Sequence, residues 1–266
     1  MLRTETWWGG IDNPDAWLIN LTGNYAFPFD DSMEFSMDLA SSSYSNNTVP
    51  FMLSNKGRYI WSDSAFKVTF RNGLMEFEGT APIELVQAGT TLREAYLAAS
   101  AAHFPPKGQL PPEEFITRPQ YNTWIELMYN QNQEDILRYA HAIADNGFPT
   151  GAVFMVDDNW QKYYGNYDFK PERFPDPKGM MDELHSMGYR VMLWVCPYVS
   201  PDSPEYRELA KLGYFVMDAV KDKPAIVEWW NGFSAMLDMS NPDARAWMVS
   251  KLRQMQEKYG VDGFKF

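Results

Sequence analysis

The sequence predicts two successive domains, an antiparallel β-domain followed by the first half of a (β/α)8 barrel. Three observations support this fold class. Residues 1–117 contain short alternating apolar runs separated by turn residues, residues 118–266 alternate strand-like and helix-like segments, and polar side chains follow the strand-like segments. A chain of 266 residues has room for both domains.

The first domain, residues 1–117, shows the pattern of antiparallel strands. Short apolar runs fill residues 48–70, and Asn72-Gly73 between two β-like runs is a strong hairpin signal. The alanine-rich residues 91–103 predict a single helix. The proline-rich residues 104–112 that follow predict a linker to the second domain.

The second domain, residues 118–266, repeats the order strand, helix. The predicted strands cover residues 121–127, 151–156, 190–195, 235–239 and 261–266. The first predicted helix covers residues 133–145, and later helices begin where a capping residue precedes proline, at Asp176-Pro177, Ser203-Pro204 and Asn241-Pro242. Such βα units indicate a parallel sheet. A closed barrel takes about 250 residues, so we expect an incomplete barrel here.

The alternative to a barrel is an open sheet that binds nucleotides. No glycine-rich phosphate loop follows any of the predicted strands, which disfavours that alternative. Instead, acidic, aromatic and basic residues follow the strands at the positions where barrels build their active sites. We therefore interpret the second domain as part of a barrel.

Charge and composition restrict the partners. Lys and Arg number 23 and Asp and Glu 35, a net charge of −12 that disfavours nucleic acid and membrane surfaces but is compatible with a neutral sugar. The only cysteine is Cys196 and the three histidines lack metal-ligand spacing, so we expect neither a metal nor another cofactor. Residues 1–10 lack the pattern of a signal peptide, which favours the cytoplasm.

The aromatic content of 16% is unusually high, and rings beyond those a core needs would suit stacking against sugars, although any single ring is more readily explained as core. Among the acids, Asp157 directly follows a buried strand and is predicted to bind substrate. Asp158 either joins it there or caps a turn. Lys265 lies in an otherwise apolar strand, and a buried lysine needs a carboxylate partner.

Six further residues have a structural or a functional interpretation. Trp194 either faces the site or packs in the barrel, and one of Trp229 and Trp230 is expected to pack against a helix. Asp176 is predicted to cap a helix, and Asp238 to stabilise a loop. Cys196 ends a strand, but no base lies beside it in sequence, so we do not expect a nucleophile.

Five strings carry a specific resemblance. The chain resembles glycoside hydrolase family 31 in motif order and spacing across residues 120–266. The strings are Val156-Asp-Asp-Asn-Trp-Gln, Arg173-Phe-Pro-Asp-Pro-Lys, Val191-Met-Leu-Trp-Val-Cys-Pro-Tyr-Val-Ser, Leu237-Asp-Met-Ser-Asn-Pro and Val261-Asp-Gly-Phe-Lys-Phe. The first domain looks like that family's N-terminal β-sandwich. Residues 121–133 are similar to a subgroup in which α-galactosidase activity is known.

The resemblance implies roles for four residues. Asp157 matches an aspartate that binds hydroxyls of the sugar in subsite −1, Trp194 and Trp230 match tryptophans of that subsite's wall, and Lys265 matches a lysine beside the nucleophile. In the family the nucleophilic aspartate follows a Lys-x pair, so it is expected directly after Phe266. No catalytic residue is therefore assigned between residues 1 and 266.

The resemblance also implies a reaction. Family members are retaining α-glycosidases, and the subgroup implies terminal α-galactosides as substrates, with a small carbohydrate as the partner. Two alternatives stay open: an α-glucosidase or α-xylosidase of the same family, or an inactive paralogue that binds sugar. Nothing in the sequence indicates the oligomeric state.

Overall fold

A computed structural model describes residues 1–11, 29–32, 34–41 and 48–266. The described residues form two compact units, Met1–Gln109 and Leu110–Phe266. Among them, no helix has both the length and the apolar character needed to cross a bilayer.

The first unit contains two antiparallel sheets. Its strands are β1 (Trp7–Ile11), β2 (Phe35–Asp38), β3 (Thr48–Ser54), β4 (Arg58–Trp61), β5 (Phe66–Arg71), β6 (Leu74–Gly79) and β7 (Glu84–Gln87). One sheet has the order β1-β3-β4-β7 and the other β2-β5-β6. Buried side chains from both sheets, including Trp7, Met52 and Phe70, share one apolar core. The predicted antiparallel sandwich is therefore confirmed.

Two local signals of the first unit formed as predicted. Asn72 and Gly73 have φ values of 51° and 71° and connect β5 to β6, because a tight hairpin needs left-handed backbone at both positions. Helix α1 (Leu92–His103) begins after Thr91, whose hydroxyl accepts from the backbone N–H of Glu94. The Glu94 carboxylate accepts in return from the backbone N–H of Thr91, at 3.0 Å.

The second unit is built on a four-stranded parallel sheet with helices. Its strands are β8 (Tyr121–Asn122), β9 (Val153–Val156), β10 (Arg190–Trp194), β11 (Tyr198–Val199), β12 (Ile226–Trp229), β13 (Gly232–Met236) and β14 (Gly263–Lys265). Its helices are α2 (Glu114–Thr117), α3 (Trp124–Leu127), α4 (Gln133–Asp145), α5 (Pro177–Ser186), α6 (Pro204–Leu212) and α7 (Pro242–Tyr259). The parallel strands lie in the order β14-β10-β9-β8, which confirms a partial barrel.

The register of this sheet brings three predicted site residues to one edge. Val156 pairs with Leu193, so Asp157 and Trp194 both lie at the carboxyl ends of their strands. Trp194 pairs in turn with Lys265 on β14. The strand interiors and the helices around them form the apolar core of the unit, and this core fixes the edge on which the site stands.

The predicted strand over residues 121–127 is wrong beyond Asn122. Only Tyr121 and Asn122 pair with β9, and residues Trp124–Leu127 form helix α3. The side-chain oxygen of Asn122 accepts from the backbone N–H of Trp124 at 2.8 Å. This local bond turns the chain away from the sheet, as Asn side chains do in turns.

The predicted strand over residues 235–239 is also misplaced. The strand is Gly232–Met236, and it pairs antiparallel with β12 and β11 in a separate three-stranded sheet. Strand β12 precedes it in the chain, and the two form the hairpin β12–β13. Gly232 has a φ of 101° and makes the tight connection possible. The hairpin projects from the carboxyl edge of the parallel sheet instead of extending that sheet.

Candidate active site

A pocket of about 260 Å³ opens at the carboxyl edge of the parallel sheet. All five residues predicted from the sequence line this pocket, together with two that were not predicted. The lining residues are Asn122, Trp124, Asp157, Asp158, Trp194, Trp230 and Lys265. Strands far apart in sequence therefore deliver the predicted side chains to one place.

Asp157 lies at the centre of the polar side of the pocket. Its Oδ2 accepts from Asn122 Nδ2 at 2.8 Å and from Lys265 Nζ at 2.9 Å, and its Oδ1 accepts from the backbone N–H of Asp158 at 2.9 Å. The residue is only 4% exposed. A carboxylate offers about four acceptor sites, so these bonds orient the group and leave it able to accept from a ligand hydroxyl.

Two residues behind Asp157 hold its backbone in place. The backbone N–H of Asp157 donates to Thr123 Oγ1 at 3.0 Å, and the Thr123 hydroxyl donates to Gln131 Oε1 at 2.7 Å. Both Thr123 and Gln131 are fully buried. This network links the strand end at Asp157 to the turn after β8 and gives the carboxylate a rigid support.

Asp158 is more deeply buried than Asp157, at 1% exposure, and still lines the pocket. The Tyr164 hydroxyl lies 3.0 Å from each of its two carboxylate oxygens and donates to them. Burial raises the pKa of Asp158 above its usual value, and the bond from Tyr164 opposes that shift. Asp157 and Asp158 are therefore neighbours with different side-chain donors, an amide and an ammonium for Asp157 and a tyrosine hydroxyl for Asp158.

Indole rings form the apolar side of the pocket. Trp194 is almost buried, whereas Trp230 is 58% exposed, and their ring centroids are 5.9 Å apart. Trp229 does not pack against a helix as expected: it stacks on Tyr198 with centroids 4.2 Å apart and donates from Nε1 to Ser234 Oγ. Trp230 is therefore the member of the pair that faces the ligand space.

Lys265 differs from its expected environment in one respect. Its side chain is 42% exposed among the described residues, whereas the apolar strand predicted a buried one. The expected carboxylate partner is confirmed, because Nζ lies 2.9 Å from Asp157 Oδ2.

The two unpredicted pocket residues are Asn122 and Trp124. Both belong to the segment that was predicted as a continuous strand. That prediction contained no turn after Asn122 to bring the two side chains to the pocket. The available signal was the Asn122 side chain, since Asn followed by polar Thr123 is typical of a turn. Helix α3 then places Trp124 beside the pocket, with its ring 4.9 Å from that of Tyr129.

Three other predicted assignments concern residues outside the pocket lining. Asp176 caps helix α5 by accepting from the backbone N–H of Gly179 at 2.9 Å, and Asp238 accepts from the backbone N–H of Ser240 at 2.9 Å within a loop. Cys196 is buried, and burial raises its pKa to about 12. A thiol in that environment is not a nucleophile near neutral pH, as expected.

The chemistry of the pocket suits a polyhydroxylated ring. Ordered carboxylates and an amide accept and donate hydrogen bonds, and indole faces contact the C–H faces of a sugar. Among the described residues, no group of three or more His, Cys, Asp or Glu side chains could hold a metal ion. The pocket therefore offers a polar side and an apolar side to a neutral polar ring.

Comparison with known proteins agrees with a pocket that suits sugars. Residues 115–266 match the family described as the glycosyl hydrolases family 31 TIM-barrel domain. The chain is 32% identical over 164 residues to the myogenesis-regulating glycosidase of Mus musculus, covering 62% of this chain and 23% of that protein. It is 27% identical over 233 residues to the α-xylosidase XylQ of Lactiplantibacillus pentosus, covering 82% of this chain and 29% of that protein.

A solved structure shares the fold over nearly the full chain. It is the family 31 dextranase of Flavobacterium johnsoniae in complex with glucose, with a TM-score of 0.76 and 18% identity. The match covers 99% of this chain and 32% of that one. The chain thus spans about a quarter to a third of the length of these relatives.

Proposed function

The chain belongs to glycosyl hydrolase family 31, and from that premise we propose that its protein hydrolyses terminal α-galactosides with retention of configuration. In this proposal the pocket is subsite −1. Asp157 accepts hydrogen bonds from sugar hydroxyls, Asp158 does so beside it, and Trp194 and Trp230 pack on the ring. The observation that carries the proposal is the convergence of these side chains, from three separate elements, on one pocket.

The choice of α-galactoside rests on the segment similar to the α-galactosidase subgroup. That segment, residues 121–133, contributes Asn122 and Trp124 to the pocket. Asn122 also donates to Asp157, so the subgroup-specific segment sets the orientation of the hydroxyl-binding carboxylate. The preference for the α-galactoside therefore rests on this similarity, carried by a segment that contacts the proposed hydroxyl-binding carboxylate.

The bond-breaking step needs two carboxylates about 5–5.5 Å apart, one as nucleophile and one as general acid and then base. We propose that the nucleophile is the aspartate that the family places directly after the Lys-x pair, here Lys265-Phe266. Lys265 then lies two positions before the nucleophile in sequence and is bonded to Asp157. Its positive charge favours the ionised form of a carboxylate placed next to it.

An α-xyloside is the second candidate, favoured by the α-xylosidase relative that covers 82% of this chain. Xylose lacks the hydroxymethyl group that galactose carries. A pocket adapted to xylose would be filled at that position and would exclude hexoses.

The test compares nitrophenyl α-galactoside, α-glucoside and α-xyloside as substrates of the full-length protein. We expect kcat/KM for the α-galactoside to exceed the other two by about 10-fold or more, the scale set by one well-placed hydrogen bond. Faster hydrolysis of the α-xyloside would replace the proposal with the second candidate. Binding of galactose without turnover would identify an inactive sugar-binding paralogue.

A further inference from the structure

We propose that Tyr164 is a positioning residue, which holds the Asp158 carboxylate and the tryptophan wall in the geometry that binds the sugar. The inference rests on the proposed function, because it assigns a role within the same pocket. Tyr164 itself is not among the residues that line the pocket. It contacts the lining residues Asp158 and Trp194 without lining the pocket itself.

The first support is the contact with Asp158. The Tyr164 hydroxyl is 3.0 Å from both carboxylate oxygens, a symmetric arrangement that fixes the plane of the carboxylate. Among the described residues it is the only side chain that donates a hydrogen bond to Asp158. A carboxylate that is 1% exposed depends on such a donor, because a buried charged acceptor without a partner is costly.

The second support is the contact of the same ring with the wall. The Tyr164 ring meets Trp194 edge-on with centroids 6.0 Å apart and Trp229 with centroids 5.1 Å apart. Trp229 in turn contacts Trp230 at 4.8 Å. The Tyr164 side chain therefore contacts Asp158 and two indoles, so a change in its position would displace groups on both the polar and the apolar side of the pocket.

The third support is the way the backbone fixes Tyr164. Its carbonyl accepts from the backbone N–H of Ser200 at 3.0 Å. The next residue, Gly165, has a φ of 89°, and a Cβ there would lie 2.9 Å from both methyl carbons of Val199. Only glycine allows this approach, so the loop is held against β11 and Tyr164 cannot shift freely.

The contact has an electrostatic consequence. Burial raises the pKa of Asp158 and the Tyr164 hydrogen bond lowers it. Removal of the hydroxyl should raise that pKa further, so the ionised carboxylate would be lost at a higher pH as the pH falls. The titratable groups that face Asp158 are Asp157, Tyr129, Tyr164, Lys170 and Cys196, with Lys265 across the pocket.

The experiment measures kcat and KM of the full-length protein for nitrophenyl α-galactoside, from about pH 4 to about pH 9, for the unaltered protein and Tyr164→Phe. We expect KM to rise by about 10-fold with a smaller change in kcat, since the lost contact orients groups that bind the sugar before reaction. We also expect the acid limb of kcat/KM to move to higher pH, because the hydrogen bond that lowers the pKa of Asp158 is lost.

Tyr167→Phe is the matched control. Tyr167 is a buried tyrosine three residues away, and its hydroxyl donates to the carbonyl of Cys196 at 3.0 Å without contacting Asp158. It should leave both KM and the acid limb unchanged, with thermal melting recorded for both variants. If Tyr164→Phe behaves like Tyr167→Phe while the unaltered protein is active, the inference is refuted.

Asp158→Asn provides a second route that does not depend on folding of Tyr164→Phe. The amide keeps the size of the side chain but cannot ionise, so Tyr164→Phe should no longer shift the acid limb in that background. There Tyr164→Phe should also change KM by less than about twofold, because coupled residues are not additive. A change in KM as large as in the unaltered background contradicts the inference. An unaltered protein that neither binds nor hydrolyses galactosides would instead refute the proposed function.

Discussion

The two edges of the parallel sheet each carry a bonded aspartate, and their difference is instructive. At the carboxyl edge, Asp157 accepts from a backbone N–H, from an amide and from Lys265 Nζ. At the amino edge, Asp262 accepts from the backbone N–H of Val191 at 2.7 Å and from His185 Nε2 at 2.8 Å. Arg190 completes its set at 3.4 Å. By hydrogen-bond count the two aspartates are equivalent.

The surroundings of the two aspartates separate them. Three tryptophans line the pocket at Asp157, whereas the depression at Asp262 contains no tryptophan among its described lining residues. Asp262 bridges β10 and the start of β14, and its partners are the groups that it joins. The indole wall, more than the paired carboxylate, therefore distinguishes a candidate sugar site from a structural contact at the other edge.

The largest expected effect comes from exchanging these aspartates for alanine one at a time. Asp157→Ala should lower kcat/KM of the full-length protein by about 100-fold or more, the scale of a charged hydrogen bond realised in a dry site. Asp262→Ala should leave kcat/KM within about threefold but lower the free energy of unfolding by about 1–3 kcal/mol, because it leaves a backbone N–H without its partner.

Steady-state kinetics and urea unfolding of both variants check this contrast. A kcat/KM for Asp157→Ala within about threefold of the unaltered value would show that this carboxylate does not bind substrate. A comparable loss of activity in Asp262→Ala would show that the amino edge is not merely structural.

A smaller effect is expected at the wall. Trp230→Ala should raise KM by about 10-fold with little change in thermal stability, since its ring is 58% exposed and its loss leaves the core intact. Phe233 on the same hairpin is 64% exposed and does not line the pocket, so Phe233→Ala is the matched control. Equal effects of the two changes on KM would show that hairpin stability, and not ring contact, is being measured.

The success of the sequence prediction depended on the range of the interactions involved. Asp157 and Lys265 could be found because each directly ends an apolar strand, and parallel strands bring their carboxyl ends to a common edge. Helix starts at Pro177, Pro204 and Pro242 were readable because capping is local.

The errors arose where a side chain or a distant strand decided the outcome. The bond from Trp124 to Asn122 ended β8 after two residues, although the apolar pattern continued. Residues 226–236 formed a hairpin that pairs with β11, which local pattern could not distinguish from a further barrel strand. Tyr164 was not predicted at all, since its role depends on contacts with Asp158 and Trp194 that only the fold creates.

The smallest effect tests whether a position in the loop after β9 is itself sufficient for function. Asp168 belongs to the same loop as Tyr164 but bonds to Lys258 at 3.1 Å and to the Tyr259 hydroxyl, both on helix α7. Burial alone would raise its pKa, but these bonds lower it below the ordinary value of 3.8. A carboxyl group whose pKa is lower in the folded than in the unfolded state stabilises the fold at pH values above its unfolded-state pKa. This stabilisation is lost as the pH falls through the folded-state pKa.

Asp168→Asn should therefore leave kcat/KM unchanged and lower the free energy of unfolding at neutral pH by only about 0.5 kcal/mol, because solvent screens a carboxylate that is 48% exposed. The difference from the unaltered protein should shrink as the pH falls through the folded-state pKa of Asp168, which lies below 3.8. Urea unfolding at neutral and at acidic pH measures it. A loss of activity in Asp168→Asn would show that the loop transmits a change at Asp168 to the pocket.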